Sequence, residues 1–168
     1  MTKGEGERNA RACPSILAVD YGHERIGLAI ADTNAKMAQP LGVLERVNRN
    51  EDMRRLREIV REHGVKLIIV GLPLRLEGTR GEMAEEAERF ARRVRKQLCV
   101  PVELVDERLT SWEAERLLEE TQGRFLNADK ARGGKRKKAS AKTTVDAIAA
   151  AVILKEYLNR QGQPVARG

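Results

Sequence analysis

The sequence predicts an α/β domain built on a mixed five-stranded sheet, a three-strand meander plus two parallel strands, with helices on both faces. Apolar segments at 16–19 and 26–31 flank a short polar turn, which is typical of a buried antiparallel hairpin. Two later apolar segments, at 66–70 and 102–105, each follow a helical pattern, which favours parallel strands. The hydrophobic fraction of 41% in 168 residues is enough for one core.

The elements follow from where each hydrophobic pattern begins and ends. Asp20 ends the first strand and Gly22 permits the turn, while Gly27 in the second strand leaves room for a close approach. A third strand is expected after Pro40. The full set of expected elements is strands at 16–19, 26–31, 41–47, 66–70 and 102–105, and helices at 51–63, 82–98, 110–120 and 144–158. Strands one, four and five are expected to be parallel.

The chain outside these elements is polar. We expect a flexible N-terminal tail at 1–14, one domain at 15–158 and a C-terminal tail at 159–168. Neither a signal peptide nor a membrane span is expected, and two cysteines without metal-type spacing favour a reducing cytoplasm.

Positive charge is concentrated in one expected loop, residues 127–142. This segment carries seven basic residues and one acidic residue, and so +6 of the formal net charge of +7. Such a loop is attracted to polyanions, and we expect a nucleic-acid partner. No membrane partner is expected, since the sequence has no run of about 18 apolar residues. A solvated charged segment without a partner is the alternative.

Three carboxylates stand where the predicted topology would bring them together. Asp20 ends the first strand, Glu107 follows the fifth, and Asp146 opens the last helix. Parallel strands present their carboxyl ends at one edge of a sheet, where open α/β folds bind ligands. Converging carboxylates repel one another unless a hard cation such as Mg²⁺ or Mn²⁺ separates them. The pattern predicts a metal site that activates water for phosphodiester hydrolysis.

Each carboxylate also has a simpler interpretation. Asp20 could start a turn, and Asp106 with Glu107 could be a loop pair with one acid solvated. Asp146 lies three residues after Thr143 and could be a capping residue near the positive end of the last helix.

Four motifs occur in order along the chain. They are Val-Asp-Tyr-Gly at 19–22 with Arg-Ile-Gly-Leu-Ala at 25–29, Ile-Val-Gly-Leu-Pro-Leu at 69–74 with Gly-Thr at 78–79, Asp-Glu-Arg-Leu-Thr at 106–110 with Glu-Ala at 113–114, and Lys-Lys at 137–138 ahead of Val-Asp-Ala-Ile-Ala-Ala at 145–150. In these motifs the sequence resembles the YqgF (RuvX) family of Holliday junction resolvase-like, pre-16S rRNA nucleases. The resemblance extends from residue 16 to about residue 158.

The resemblance implies an RNase H-like fold and metal-dependent cleavage of structured nucleic acid. It implies that Asp20, Glu107 and Asp146 are catalytic and bind Mg²⁺ or Mn²⁺, and that Glu107 is the ligand of the adjacent acidic pair. The implied substrates are the 16S rRNA precursor, alone or in a ribosomal precursor particle, and branched DNA such as a four-way junction. The active form would be a monomer or a homodimer.

Several basic residues are candidates for binding the substrate. Arg25 and Arg108 could contact phosphates, with an ion pair to a carboxylate as the alternative for each. The expected nucleic-acid-binding residues are Arg25, Arg108, Lys135, Arg136, Lys137 and Lys138, and the residues expected to support the triad are Gly22, Asp106 and Thr110. Such contacts position a phosphate backbone and do not read its sequence.

Two other function classes fit parts of the pattern. An Asp-x-Gly turn after a first strand also occurs in actin-like ATPases, but those need a second lobe for which this chain has no room. A non-catalytic RNA-binding ribosome-assembly factor would need only the basic loop, and its binding would be indifferent to Asp20 and to metal.

Overall fold

One five-stranded sheet organises the protein. The structure is a computed structural model that describes residues 14–34, 37–73, 77, 79–107 and 139–161. Its strands are β1 Ser15–Tyr21, β2 Arg25–Asp32, β3 Ala38–Glu45, β4 Val65–Leu72 and β5 Val102–Asp106. They lie in the order β3-β2-β1-β4-β5, with β1 antiparallel to β2, β2 antiparallel to β3, and β1, β4 and β5 parallel. The predicted mixed sheet is confirmed.

Three described helices cover the sheet: α1 Arg49–Glu62, α2 Glu82–Leu98 and α3 Ala139–Gln161. Strand residues alternate between two cores, as the pleat requires. Leu17 and Val19 of β1 pack with residues of α1 and α2, whereas Ala18 packs on the other face with Leu154 and Tyr157 of α3. The sheet therefore has helices on both faces, and α3 covers the face toward which Asp20 points.

Helix α2 has the bounds predicted from the sequence, 82–98. Helix α1 begins at Arg49, two residues before the predicted start at residue 51. Asn48 is its N-cap, and the Asn48 side chain accepts hydrogen bonds from the backbone N–H groups of Asn50 (3.1 Å) and Glu51 (2.9 Å). These bonds satisfy donors that a helix start otherwise leaves unpaired.

The third strand differs from the prediction, which placed it at 41–47 after Pro40. β3 begins at Ala38, and Pro40 lies within it, paired with Ala29 of β2 beside a shift of register. Proline lacks an N–H but is tolerated on an edge strand or at a bulge, and β3 is at the edge of the sheet. The strand ends at Glu45 because Arg46 and Val47 turn toward α1.

The last helix is longer than the predicted 144–158. It begins at Ala139, so the final four residues of the expected basic loop are helical, and it continues to Gln161, through the first three residues of the expected C-terminal tail. Asp146 therefore lies two turns inside α3 and does not open it. This corrects the helix-start interpretation of Asp146. The helix expected at 110–120 lies outside the described residues.

Candidate active site

The site lies at the carboxyl end of the central strand β1. Asp20 pairs with Gly27 of β2, and β4 continues the register one step past Val70 to bring Gly71 alongside Asp20. A carboxylate is thus flanked on both sides by residues without a side chain. All three positions face α3, because they alternate with the residues that pack against α1 and α2.

Gly27 allows α3 to approach the sheet at Asp146. A Cβ placed on Gly27 would lie 2.6 Å from the carbonyl carbon of Asp146 and 3.3 Å from the backbone nitrogen of Ala147. Real Cβ atoms do not come this close to backbone atoms. The missing side chain therefore fixes where Asp146 stands relative to the strand beside Asp20.

Gly71 gives the same kind of access to Glu107. A Cβ at Gly71 would overlap Oε1 of Glu107 and would lie 3.2 Å from its Cδ and 2.8 Å from Cδ1 of Ile153 on α3. The Glu107 side chain therefore lies over β4 and reaches Asp20, with which it shares a hydrogen bond. Asp106, which follows Val105 in β5, alternates to the opposite face.

Burial and neighbouring negative charges raise the pKa values of Asp20 and Glu107. Burial, followed by the negative charge and hydrogen bond of Glu107 and the charge of Asp146, raises the pKa of Asp20 to about 7. Burial and the nearby Asp106 raise the pKa of Glu107, while its hydrogen bond to Asp20 acts in the opposite direction. A proton shared by Asp20 and Glu107 thus relieves repulsion that a cation would otherwise relieve.

Asp146 is neutralised differently, by an ion pair with Arg25. Nε of Arg25 donates to Oδ2 of Asp146 at 2.8 Å, and both side chains are about one-third exposed, at 32% and 30%. Of the two interpretations of Arg25 from the sequence, the structure contains the ion pair.

An arginine that the sequence analysis did not single out holds the β1–β2 turn. Arg46 donates through Nη1 to the Tyr21 hydroxyl (2.9 Å) and to the carbonyls of Gly22 and His23 (both 3.2 Å). Its guanidinium also lies 4.8 Å from the centre of the Tyr21 ring. The turn between Asp20 and Arg25 is therefore anchored from the β3–α1 connection.

Arg46 is itself held by Asp52, a buried acid in the first turn of α1. Nε of Arg46 lies 3.3 Å from Oδ2 of Asp52, and Oδ1 accepts from the Val47 backbone N–H at 3.1 Å. The one sequence signal for this pair is an acid that shares the apolar face of α1 with Met53 and Leu56. His23 adds a second tether, because its Nδ1 lies 3.3 Å from Oε2 of Glu86 on α2.

The candidate residues divide into those that the structure brings together and those it does not describe. Asp20, Glu107, Asp146, Gly22 and Arg25 meet at this edge of the sheet, whereas Asp106 is next to Glu107 but alternates to the opposite face. The others, Arg108, Thr110, Lys135, Arg136, Lys137 and Lys138, lie outside the described residues.

The side chains of Asp20, Glu107 and Asp146 are chemically suited to bind a hard divalent cation, since all three are carboxylates and repel one another. In the part of the chain that the structure describes, no three histidine, cysteine, aspartate or glutamate side chains are arranged as ligands of one ion. In this arrangement Asp146 contacts Arg25, and Asp20 is hydrogen-bonded to Glu107. None of the described helices is long and apolar enough to cross a membrane.

Comparison with known sequences decides the family. Residues 14–160 match the family RuvX, whose description is Holliday junction resolvase. The chain belongs to the RuvX family. Relatives of this RuvX chain include proteins named "Putative pre-16S rRNA nuclease" from Chloroflexus aurantiacus, 39% identical over 89% of this chain and 90% of that protein, and from Anaeromyxobacter sp. (strain K), 43% identical over 86% of this chain and 96% of that protein.

Solved structures place the RuvX chain in the RuvC-like, RNase H-like fold, as the resemblance implied. It is similar to T. thermophilus RuvC in complex with a Holliday junction substrate, with a TM-score of 0.52 and 15% identity over 89% of this chain and 96% of that one. It is also similar to the Fowlpox virus resolvase bound to Holliday junction DNA, with a TM-score of 0.50 and 11% identity over 89% of this chain and 99% of that one.

Proposed function

We propose that this protein is a metal-dependent endonuclease that hydrolyses phosphodiesters in structured nucleic acid, with the 16S rRNA precursor as its substrate. The observation that supports the proposal best is the meeting of Asp20, Glu107 and Asp146, each from a different element, at the carboxyl end of β1. Burial raises the pKa values of Asp20 and Glu107; the negative charges of Glu107 and Asp146 add to the rise at Asp20, and the charge of Asp106 adds to the rise at Glu107. Perturbed carboxylates of this kind are typical of functional sites.

Asp20, Glu107 and Asp146 would hold Mg²⁺ or Mn²⁺. The bound cation supplies a water of lowered pKa and neutralises charge that develops on the phosphate oxygens. The chain itself supplies position: Asp20 is fixed in the central strand, Gly27 sets the place of Asp146, and Gly71 admits Glu107. The turn that separates Asp20 from Arg25 is held by Arg46, so that the backbone beside Asp20 keeps its place when the nucleic acid binds.

The substrate assignment follows the names of the relatives and the charge of this chain. Proteins about 40% identical over most of their length are named for the 16S rRNA precursor. The basic residues at 127–142 would attract phosphates of a folded RNA in a ribosomal precursor particle, in the cytoplasm, with an affinity that falls steeply as salt rises. The family description favours a second candidate, cleavage of four-way DNA junctions.

A cleavage assay tests the proposal. A labelled pre-16S RNA fragment and a labelled four-way DNA junction are each incubated with Mn²⁺, Mg²⁺ or EDTA. The proteins are the wild type, Asp20→Asn and Glu62→Gln. Glu62→Gln is the control, because Glu62 is an exposed acid at the end of α1. We expect cleavage that depends on the metal and is slower in Asp20→Asn than in the wild type by about 10²-fold or more. Glu62→Gln should cleave at the wild-type rate, and both variants should still bind RNA. The faster substrate identifies the biological one. Equal cleavage by Asp20→Asn and wild type would contradict the proposal, and binding without cleavage in every condition would favour an assembly factor.

A further inference from the structure

The ion pair between Arg25 and Asp146 joins two residues whose backbones are already fixed to each other. Arg25 begins β2, and Gly27, two residues later in the same strand, receives the backbone of Asp146. The side-chain contact is a single one: within the described residues, Arg25 donates to Asp146 through Nε and has no second carboxylate partner. With one-third of the side chain exposed, Arg25 can leave Asp146 by side-chain rotation alone.

We propose that Arg25 exchanges between Asp146 and a phosphate of the nucleic acid, and thereby makes metal binding and substrate binding assist each other. The inference rests on the proposed function, because it requires that Asp146 is a ligand of the divalent cation. Without cation, Arg25 neutralises Asp146. When the cation takes Asp146, Arg25 is released beside the site to bind a phosphate.

Electrostatics supports the exchange. A guanidinium and a divalent cation on one carboxylate are like charges a few ångströms apart, so Arg25 lowers the affinity of Asp146 for the cation. Arginine also fits a phosphate with two parallel N–H donors, a stronger arrangement than its one-point contact with Asp146. The released side chain thus gains a better partner.

Binding linkage gives the consequence. A nucleic acid that draws Arg25 away from Asp146 strengthens cation binding, and the cation strengthens nucleic-acid binding by the same factor. The complex with both cation and nucleic acid would then be favoured over a complex with only one of them. In a cell this coupling would keep Asp146 neutralised by Arg25 until a phosphate backbone is present.

The first test measures Mn²⁺ affinity without nucleic acid, by the electron paramagnetic resonance signal of unbound Mn²⁺. The proteins are wild type, Arg25→Gln, Asp20→Asn and Arg54→Gln. Arg54 is the matched control because it pairs with Glu51 at 2.7 Å and with Glu58 on the exposed face of α1. We expect Arg25→Gln to bind Mn²⁺ about three- to thirtyfold more tightly than wild type, since one positive charge is removed from the ligand, and Arg54→Gln to match wild type.

The second test measures the exchange from the nucleic-acid side. Fluorescence anisotropy measures the affinity for a labelled pre-16S RNA hairpin over a series of salt concentrations, with EDTA or with Ca²⁺. Ca²⁺ binds the same kind of oxygen ligands as Mg²⁺ and Mn²⁺. A denaturing gel checks that the RNA stays intact. In wild type, Ca²⁺ should steepen the log–log salt slope by about 0.7–0.9, one phosphate contact, and in Arg25→Gln it should not.

The outcomes separate this inference from the proposed function. Mn²⁺ binding that depends on Asp20 but is equal or weaker in Arg25→Gln would overturn the exchange and leave the metal-dependent nuclease intact. An identical change of salt slope in both proteins would overturn it equally. Absence of any Asp20-dependent Mn²⁺ binding in wild type would overturn both the exchange and the metal site on which it rests.

Discussion

The backbone carbonyl group of Asp146 occupies the place where a side chain on Gly27 would begin. This contact joins the second strand to the last helix at the level of Asp20, which pairs with Gly27 in the sheet. The position of the third carboxylate is therefore set by backbone packing and not by its own side-chain hydrogen bonds. Changes at this glycine should act on the whole helix.

The first prediction concerns Gly27→Ala. The added methyl group would meet the backbone of Asp146 and Ala147, which cannot move without displacing α3, so we expect a loss of about 3 kcal/mol in the free energy of unfolding. Gly42→Ala in the neighbouring strand is the control, since a Cβ there has no heavy atom within 4 Å. Urea denaturation should show a change within about 0.5 kcal/mol for the control. Equal midpoints for the two variants would contradict the packing argument.

The second prediction concerns Gly71→Ala, where the obstructing atoms belong to side chains. Glu107 and Ile153 can rotate away from the new methyl group, so stability should fall by only about 1 kcal/mol. Because Glu107 must leave its place beside Asp20, cleavage should fall at least about tenfold. Thermal melting and cleavage rates measured on one preparation separate the two effects. Full activity in Gly71→Ala would show that Glu107 is not needed where the structure has it.

The third prediction concerns the stability of the metal-free protein as pH changes. The pKa of Asp20 rises from an ordinary 3.8 to about 7 on folding. Between about pH 4 and pH 7 the folded protein therefore holds a proton that the unfolded chain has released, and its stability falls as the pH rises through this window.

Asp20→Asn removes this titration. In EDTA we expect it to be more stable than wild type by about 1–3 kcal/mol at pH 8, and close to wild type at pH 4.5. Melting temperatures of both proteins across that range measure the difference, and contributions from groups that do not interact with Asp20 cancel in the comparison. Parallel curves for the two proteins would rule out a raised pKa at Asp20.

The fourth prediction concerns Arg46 and Asp52. Arg46→Met leaves the Asp52 carboxylate, which is only 3% exposed, without its cation, so we expect a loss of about 2–3 kcal/mol and slower cleavage from the loosened turn. The double variant Arg46→Met with Asp52→Asn should recover part of the stability but not the cleavage, because the turn stays unanchored. If the two single changes were simply additive in stability, the pair would not be coupled.

The sequence was sufficient to predict the order of the described strands and helices, the parallel group, and the meeting of Asp20, Glu107 and Asp146. Those predictions depend on local patterns that survive in the fold: buried strands at 16–19 and 66–70, and a helix at 82–98 whose apolar spacing fixes both ends. The room left by Gly27 was also predictable. The element that fills it was not, because the contact joins Gly27 to Asp146, 119 positions further along the chain.

Other features required the structure because their cause is tertiary. Pro40 is typical of a strand boundary, yet an edge strand accommodates it beside a register shift. The start of α3 at Ala139 was hidden by the basic residues before it, which favour a loop in isolation. Arg46 and Asp52 form a pair only once β3 and α1 meet, and neither residue stands in a recognisable motif.

Asp146 is the last of the three carboxylates to be synthesised. Residues 15–106 contain the complete sheet with Asp20 already in its central strand, whereas Asp146 arrives with a helix synthesised later and packed on β1, β2 and β3. Because Glu107 and Asp146 follow all five strands along the chain, a growing chain would contain every residue of the sheet before it had a complete set of carboxylates. Newly made chains would thus be harmless to the ribosomal RNA around them until synthesis had reached the last helix.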